Sequence, residues 1–568
     1  MRNFLEIDLA ARQVASRPVE GADLARAGRY LIARMLNEEG VAAADPLGAD
    51  NPLIFSAGPF AGSNFSNANR ISVGCKSPLT GGIKEANSGG TFATAMGQAR
   101  IATMVLRGQS QDWLVLHVSE AGVRFDDATP YLGQGVFATG TALLAAYGPT
   151  ASLALIGPVA EYGGLMAGIS FTDVEGRPSS LAARGGVGAV MAAKRVKAIV
   201  IDKGKMPPMG DMAKVMEGVR SYSKALGENA TIQAFSSTGT AMVADLTNHL
   251  GALPVRNFSA GTLTDKGERL KLGGDFIRER NSARGGVTSH ACMRGCKIKC
   301  SNVYVDAAGK ELVSPLEYET LGLMGSNCGL SEPGDVARLN WQANDLGVDS
   351  IELGAMIGVL MEAGVGRFGD VDFMMRVMEE LRAGSAAGRL YAQGTARVGA
   401  HFQLARVPVI KGQAISAYDP RVVEVTGISM MLTAQGADHT VGNMPSYKSA
   451  DQPIEVLVRK SLEKQASVAL ADSIGLCIFG GEVTVQNLDL VAETMNAAFG
   501  CDIDADFLRA IGRDTLALED RFNADAGFSE ADDALPAFFH DEALPPTMRK
   551  ARLDPVEINR LKREILQG

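Results

Sequence analysis

Short apolar runs bounded by turn residues fill the first 207 positions, and longer runs spaced as in helices fill most of the rest. The early runs lie at 4–9, 53–57, 70–74, 103–106, 113–118, 152–156 and 198–201. They carry Val, Ile, Leu and Phe between Gly, Pro, Asn or Asp, the pattern of strands. One stretch here, 27–37, has the Ala, Leu, Arg and Met content of a helix. Pro207-Pro208 breaks the pattern and sets a boundary. Beyond it, helices are expected at 211–226, 240–250, 337–346, 351–361, 373–382, 487–499, 506–524 and 555–566. A strand at 301–306 and a small-residue helix ending at Gly325 interrupt them, and 528–546, acidic and then proline-bearing, reads as a surface wrap. The expected class is α+β. A β-rich domain spans 1–207, and two mainly helical domains span 208–400 and 401–568.

Composition narrows the function classes. Hydrophobic content of 46% with 21% charged residues is that of a soluble globular enzyme. The net charge of −9, with no basic stripe, argues against general nucleic-acid binding. No apolar stretch reaches the roughly 18 residues of a membrane span, and the N-terminus lacks a signal peptide's apolar run. Seven cysteines, an odd and unevenly spread set, suit a reducing cytoplasm.

Three of those cysteines, Cys292, Cys296 and Cys300, fall within nine residues. Thiolates select soft metals, and an iron–sulfur cubane wants three or four of them together. A straight helix would separate Cys292 from Cys300 by about 12 Å, at about 1.5 Å per residue, so for all three to bind one cluster the segment must curl, and Gly295 permits it. Cys477 is the best candidate for a fourth ligand, in competition with Cys328, Cys501 and water. Independent burial of the three thiols is one rival reading. A zinc-stabilised binding module completed by His290 is another.

Two glycine-rich polar stretches, 69–90 and 182–194, can bring backbone N–H groups and cationic side chains to an anion. Glu317 and Glu319 straddle a tyrosine; residues at i,i+2 diverge, so at most one is expected to face a site. Asp349 precedes an apolar helix as an N-cap or as an acceptor for a ligand. His439, one of six histidines, is a candidate proton carrier.

Together these stretches resemble the aldehyde ferredoxin oxidoreductase family of tungsten, occasionally molybdenum, enzymes. The likeness rests on Lys76-Ser77-Pro78-Leu79-Thr80-Gly81, Asn87-Ser88-Gly89-Gly90, Arg184-Gly185-Gly186-Val187-Gly188, Glu317-Tyr318-Glu319-Thr320, Tyr418-Asp419-Pro420-Arg421, Gly436-Ala437-Asp438-His439 and the run from Asp472 to Cys477. The resemblance implies a metal held between two pyranopterins over a β-rich base, with helical domains covering them. It implies one [4Fe–4S] cluster on Cys292, Cys296, Cys300 and Cys477. Pterin phosphates and a bridging magnesium would lie by Arg70, Asn87, Ala183 and Arg184, with Asn87 and Ala183 acting through backbone carbonyls, Gly185 and Gly186 alongside, and Lys76 assisting. Pterin-binding motifs would run from Asn344 to Asp349 and from Asp472 through Leu476 to Cys477. Glu317 and His439 would be the acid/base residues. The implied activity is oxidation of an aldehyde to a carboxylic acid, with electrons leaving to ferredoxin or a dedicated iron–sulfur subunit. A low-potential reductase of a carboxylic acid or aryl thioester is the second reading. A homodimer is a family expectation. Asn344 replaces the family's aspartate, Val348 its leucine, and Gln435 an arginine found in many members.

Overall fold

The computed structural model describes residues 1–265 and 267–567. Its N-terminal part is built on two six-stranded sheets. The first contains β1 (Arg2–Asp8), β2 (Gln13–Val19), β3 (Leu53–Ala57), β4 (Ile71–Lys76), β5 (Ile83–Ser88) and β6 (Ile101–Arg107), in the order β2-β1-β6-β3-β4-β5. The second contains β7 (Leu114–Ser119), β8 (Gly122–Asp127), β9 (Ser152–Leu155), β10 (Ile169–Phe171), β11 (Ser180–Ala182) and β12 (Val196–Ile201), in the order β11-β10-β9-β12-β7-β8. β1 with β6 and β7 with β12 are parallel pairs, and the rest are antiparallel. Phe55, Ile71, Val73 and Met104 of the first sheet share one apolar core with Leu116, Phe171 and Ile199 of the second.

All seven expected strands form. β2, β5, β8, β10 and β11 add to them. β2 is an edge strand, mostly exposed, so burial writes no alternation into it. β5 reads Ile-Lys-Glu-Ala-Asn-Ser, a polar sequence, yet it is almost wholly buried.

Helices dominate after residue 207. Expected spans appear as Met212–Glu228, Met242–Leu250, Pro333–Leu346, Ser350–Glu362, Val371–Ala383, Leu488–Phe499, Ala505–Asp525 and Pro555–Gln567. Asp211 caps the first of these by accepting from the Lys214 N–H at 3.1 Å. Gly347, at φ 70°, closes Pro333–Leu346 in the left-handed conformation that glycine takes most easily. Ser350–Glu362 is buried from Ile351 to Met361 and forms the axis of the C-terminal core. The 20-residue helix Ile454–Ser473 was not expected; Ser461, Gln465 and Ser473 on its buried side blur its apolar stripe. The sheet-rich first part and helix-rich remainder make the α+β class. Among the described residues no helix is long and apolar enough to cross a membrane.

Candidate functional site

The cysteine segment curls between the strands Val287–His290 and Ser301–Val305. Gly295 makes the reversal at φ 77°. Cys477 approaches from the other end of the chain, on the loop that ends helix Ile454–Ser473. Gly475 (φ 71°) turns that loop against Gly58, and the Cys477 N–H donates to the Asn67 carbonyl at 2.8 Å. All four cysteines border one apolar cluster with Phe60, Phe65, Tyr222, Met293 and Ile298. Burial pushes the Cys292, Cys296 and Cys300 thiols up, and the charge of Cys477 adds to each. Four mutually interacting thiols in an apolar shell form the donor set that an iron–sulfur cluster takes. The rival fourth ligands lie elsewhere. Cys328 donates to the Leu323 and Gly354 carbonyls, and Cys501 to Asn496. His290 Nε2 is engaged by Glu175 at 2.8 Å, which takes that nitrogen away from a zinc site. Among the described residues no three His, Cys, Asp or Glu side chains close tightly on one point.

Arg70, at the start of β4, connects this cluster to a second group of residues. Its Nε donates to Asn87 Oδ1 (2.5 Å) and its Nη2 to the Asn87 carbonyl (3.1 Å). Burial works against its charge, but Cys477, Cys292, Asp472 and Glu85 together raise its pKa. Asn87 Nδ2 donates to Asp472 Oδ1 at 3.2 Å, which brings a segment expected at the pterin phosphates against the expected pterin-binding motif that starts at Asp472. Leu476 is buried beside them. Lys76 does not join. Its ammonium is tied to the Ala42 and Ala44 carbonyls at 2.6 and 2.8 Å, at the far end of β4 from Ser72, the residue that pairs with Asn87. The buried lysine at the site is Lys84 of β5, 2.5 Å from Asp438. Burial alone would raise the Asp438 carboxyl; Lys84, Arg184 and His439 hold it well below the usual range.

Arg184 joins the other expected motif. Its Nε is 3.2 Å from Asp349 Oδ2, and it donates to the Ala437 carbonyl (2.7 Å), the Ala414 carbonyl (2.5 Å) and Ser416 Oγ (3.2 Å). Asp349 also caps its helix, accepting from the Ile351 N–H at 3.0 Å. Ala183 precedes Arg184, and Gly185 and Gly186 follow at φ 76° and 80°. A Cβ on Gly186 would lie 2.7 Å from the Leu165 carbonyl oxygen, so the backbone packs there without a side chain. Asn344 sits half-buried one turn before Asp349, its carbonyl closing the Gly347 turn.

Buried ion pairs frame the whole. Arg29 clasps Glu519 with two bonds, 2.7 and 2.8 Å, and lies 3.3 Å from Asp472. Gln435 donates to Glu519 (2.8 Å) and accepts from the Glu85 N–H (2.7 Å). Arg29→Leu would strand both carboxylates, and the expected loss is about 3–5 kcal/mol of folding stability, read from the denaturation midpoint. A loss below about 1 kcal/mol would show that neighbouring donors suffice.

Glu317 and Glu319 both lie inside, and they diverge. Glu317 accepts from Thr240 Oγ1 at 3.1 Å and lies on the thiol side, where its charge helps raise Cys300 and Cys292. Glu319 Oε2 accepts from the Ala417 N–H at 2.9 Å, and its Oε1 stands 3.1 Å from His439 Nε2. That approach is off the line of a hydrogen bond, so Oε1 is left without a partner. His439 Nδ1 meets Ser416 Oγ at 2.9 Å, and the Tyr418 ring lies 5.7 Å away. Of the two, Glu319 stands beside His439, while Glu317, expected as an acid/base residue together with His439, lies on the thiol side.

Burial pushes Glu317 up to about 6, against the Thr240 bond and Arg70, which lower it. A carboxyl raised in the folded state stabilises below its unfolded pKa of about 4.3, and that contribution is lost as pH rises through about 6. Glu317→Gln is thus expected to leave cofactor-free stability unchanged near pH 4 and to raise it by up to about 2 kcal/mol near pH 8. A difference independent of pH would remove burial as the cause.

The cradle suits a large polar cofactor. Oε1 of Glu85, Oε1 of Glu319, Oε1 of Gln413 and Oδ1 of Asn67 are buried without partners. Each such atom costs about 1–3 kcal/mol unless something bonds it. Arg29, Arg70, Lys84 and Arg184 supply buried positive charge around them. Arg29, Lys84, Glu85, Asp438 and Glu519 are not singled out as site residues by sequence reasoning, whereas Glu319 enters it as the alternative to Glu317. Asp438 is adjacent to a candidate, and Lys84-Glu85 lies within the glycine-rich polar stretch 69–90, after Gly81-Gly82-Ile83.

Comparison with known proteins finds matches over nearly the whole chain. Residues 4–203 match the model described as aldehyde ferredoxin oxidoreductase, N-terminal domain, and residues 217–566 match that of domains 2 and 3. The chain is 29% identical over 540 residues to the tungsten-containing aldehyde ferredoxin oxidoreductase of Pyrococcus horikoshii, covering 90% of this chain and 86% of that one. It is 28% identical over 575 residues to that of Pyrococcus furiosus, covering 95% and 92%. The fold is similar to the active site complex BamBC of benzoyl coenzyme A reductase, solved with 1,5-dienoyl-CoA. The TM-score is 0.82 at 18% identity, covering all of this chain and 94% of that one.

Proposed function

The chain belongs to the aldehyde ferredoxin oxidoreductase family and is an oxidoreductase of that kind, and from this premise we propose that it oxidises an aldehyde to a carboxylic acid. The net reaction is aldehyde plus water to acid, two protons and two electrons. When bound, a tungsten (or molybdenum) bis-pyranopterin supplies the two-electron oxidation, and a [4Fe–4S] cluster lets the electrons leave singly to ferredoxin or an iron–sulfur subunit. Cys292, Cys296, Cys300 and Cys477 would hold the cluster. Arg70 and Arg184, with the Asn87 and Ala183 carbonyls, would hold the pterin phosphates and their magnesium. Asn344, Asp349 and Asp472 would accept from ring amines.

The protons are handled by His439 and Glu319. Arg184 already donates to Ser416 Oγ, so the hydroxyl hydrogen goes to its nearer acceptor, His439 Nδ1 at 2.9 Å, in preference to the Ala437 carbonyl at 3.4 Å. The imidazole then carries its hydrogen on Nε2. Nε2–H donates to the substrate's carbonyl oxygen, and the unpartnered Glu319 Oε1 takes the proton lost by water. That orphaned oxygen beside His439 is the observation that carries the reading. Anaerobic purification with metal analysis, followed by aldehyde-dependent viologen reduction, tests it. Tungsten and iron without aldehyde turnover, but with reduction of an aryl thioester, would favour the reductase, which the likeness to the benzoyl coenzyme A reductase complex supports at the level of fold alone.

A further inference from the structure

The cysteine segment carries an exposed row of cations that the mechanism does not use. Arg294, Lys297 and Lys299 are exposed, and they alternate with Cys296 and Cys300, which lie just below the surface at 6% and 8% exposure. No ion pair among the described residues engages any of the three. Arg294 also lines a surface cleft of about 260 Å³ together with Lys205, Met206, Asn64 and Thr94. Met206 is 43% exposed, so the cleft presents an apolar spot rimmed by positive charge. Lys203, close by in the chain, is exposed as well. These five cations stand out on a molecule whose net charge is −9.

We infer that this face is the docking surface for an acidic, one-electron iron–sulfur protein of the ferredoxin kind. The inference rests on the proposed function, which releases electrons singly from beneath this segment. Of the four thiols, only the span from Cys292 to Cys300 lies on the exposed segment, so a partner seated here approaches the relay closely. A negative partner is repelled by the net charge of −9 and drawn to these cations, which favours both encounter and orientation. Each docking passes one electron to an oxidised partner, and two partners are reduced per aldehyde.

The test uses the metal-loaded enzyme and an acidic [4Fe–4S] ferredoxin. Binding is titrated at about 0.01 M salt, where charges act over about 30 Å, and at about 1 M, where they act over about 3 Å. R294E/K297E/K299E is expected to weaken low-salt binding and slow ferredoxin reduction by about 10- to 10³-fold, with the difference vanishing at high salt. Viologen reduction should be unchanged. Should that variant lose iron, K203E/K205E, outside the cysteine segment, carries the test with the same expectation in direction. Wild-type affinity in the iron-replete variants at low salt would overturn the docking surface. Loss of aldehyde turnover in the unmodified enzyme would instead overturn the proposed function, since ferredoxin binding is read without substrate.

Discussion

Glu319→Gln is expected to lower aldehyde-dependent dye reduction by about 10²- to 10⁴-fold at unchanged tungsten and iron content, the range lost when a positioned acid or base is removed. The amide keeps an oxygen for the Ala417 N–H, so the local fold should survive. It cannot take up a proton, and its NH2 group would face the Nε2–H of His439, 3.1 Å from the present carboxylate oxygen. Glu317→Gln is the comparison. Glu317 bonds Thr240 on the thiol side, so its effect on turnover should be much smaller. If the two variants lost activity equally, or if only Glu317→Gln did, the assignment of the proton acceptor to Glu319 would fall.

Cys477→Ala is expected to take the protein from about four irons per chain to near none, with loss of the cluster's visible absorbance and of electron delivery to ferredoxin. The side chain is small enough to leave the turn at Gly475 undisturbed, and the Cys477 N–H bond to Asn67 involves backbone alone. Cys501→Ala serves as the control, because that thiol bonds Asn496 and does not act on the other four. Retention of iron by the Cys477 variant, or its loss in the Cys501 variant, would show that the fourth ligand had been misassigned.

The strands of the two sheets were legible where one face is apolar, as in Leu53–Ala57 and Val196–Ile201. They were not legible in Ile83–Ser88, whose Lys84, Glu85, Asn87 and Ser88 look like loop residues. The structure buries them because their partners come from far along the chain: Asp438 for Lys84, Gln435 for the Glu85 backbone, Asp472 for Asn87. Helix Ile454–Ser473 was missed for the same reason, since buried polar side chains on its inner face interrupt the apolar period.

Taken alone, the amino-acid order determined whatever depends on near neighbours. The spacing of Cys292, Cys296 and Cys300 required a curled segment if one cluster was to take all three, Gly295 allowed it, and the motifs from Lys76 to Cys477 carried the family likeness. Glu317 and Glu319 had to diverge because alternate residues on a short helical turn point apart. Which of the two meets His439, which lysine enters the site, and which distant residues pair with Ile83–Ser88 were decided only by tertiary packing. Those choices depend on the free energy of burying a charge, and that is set by the opposite charge or donor brought to it from another part of the chain, which no local pattern contains.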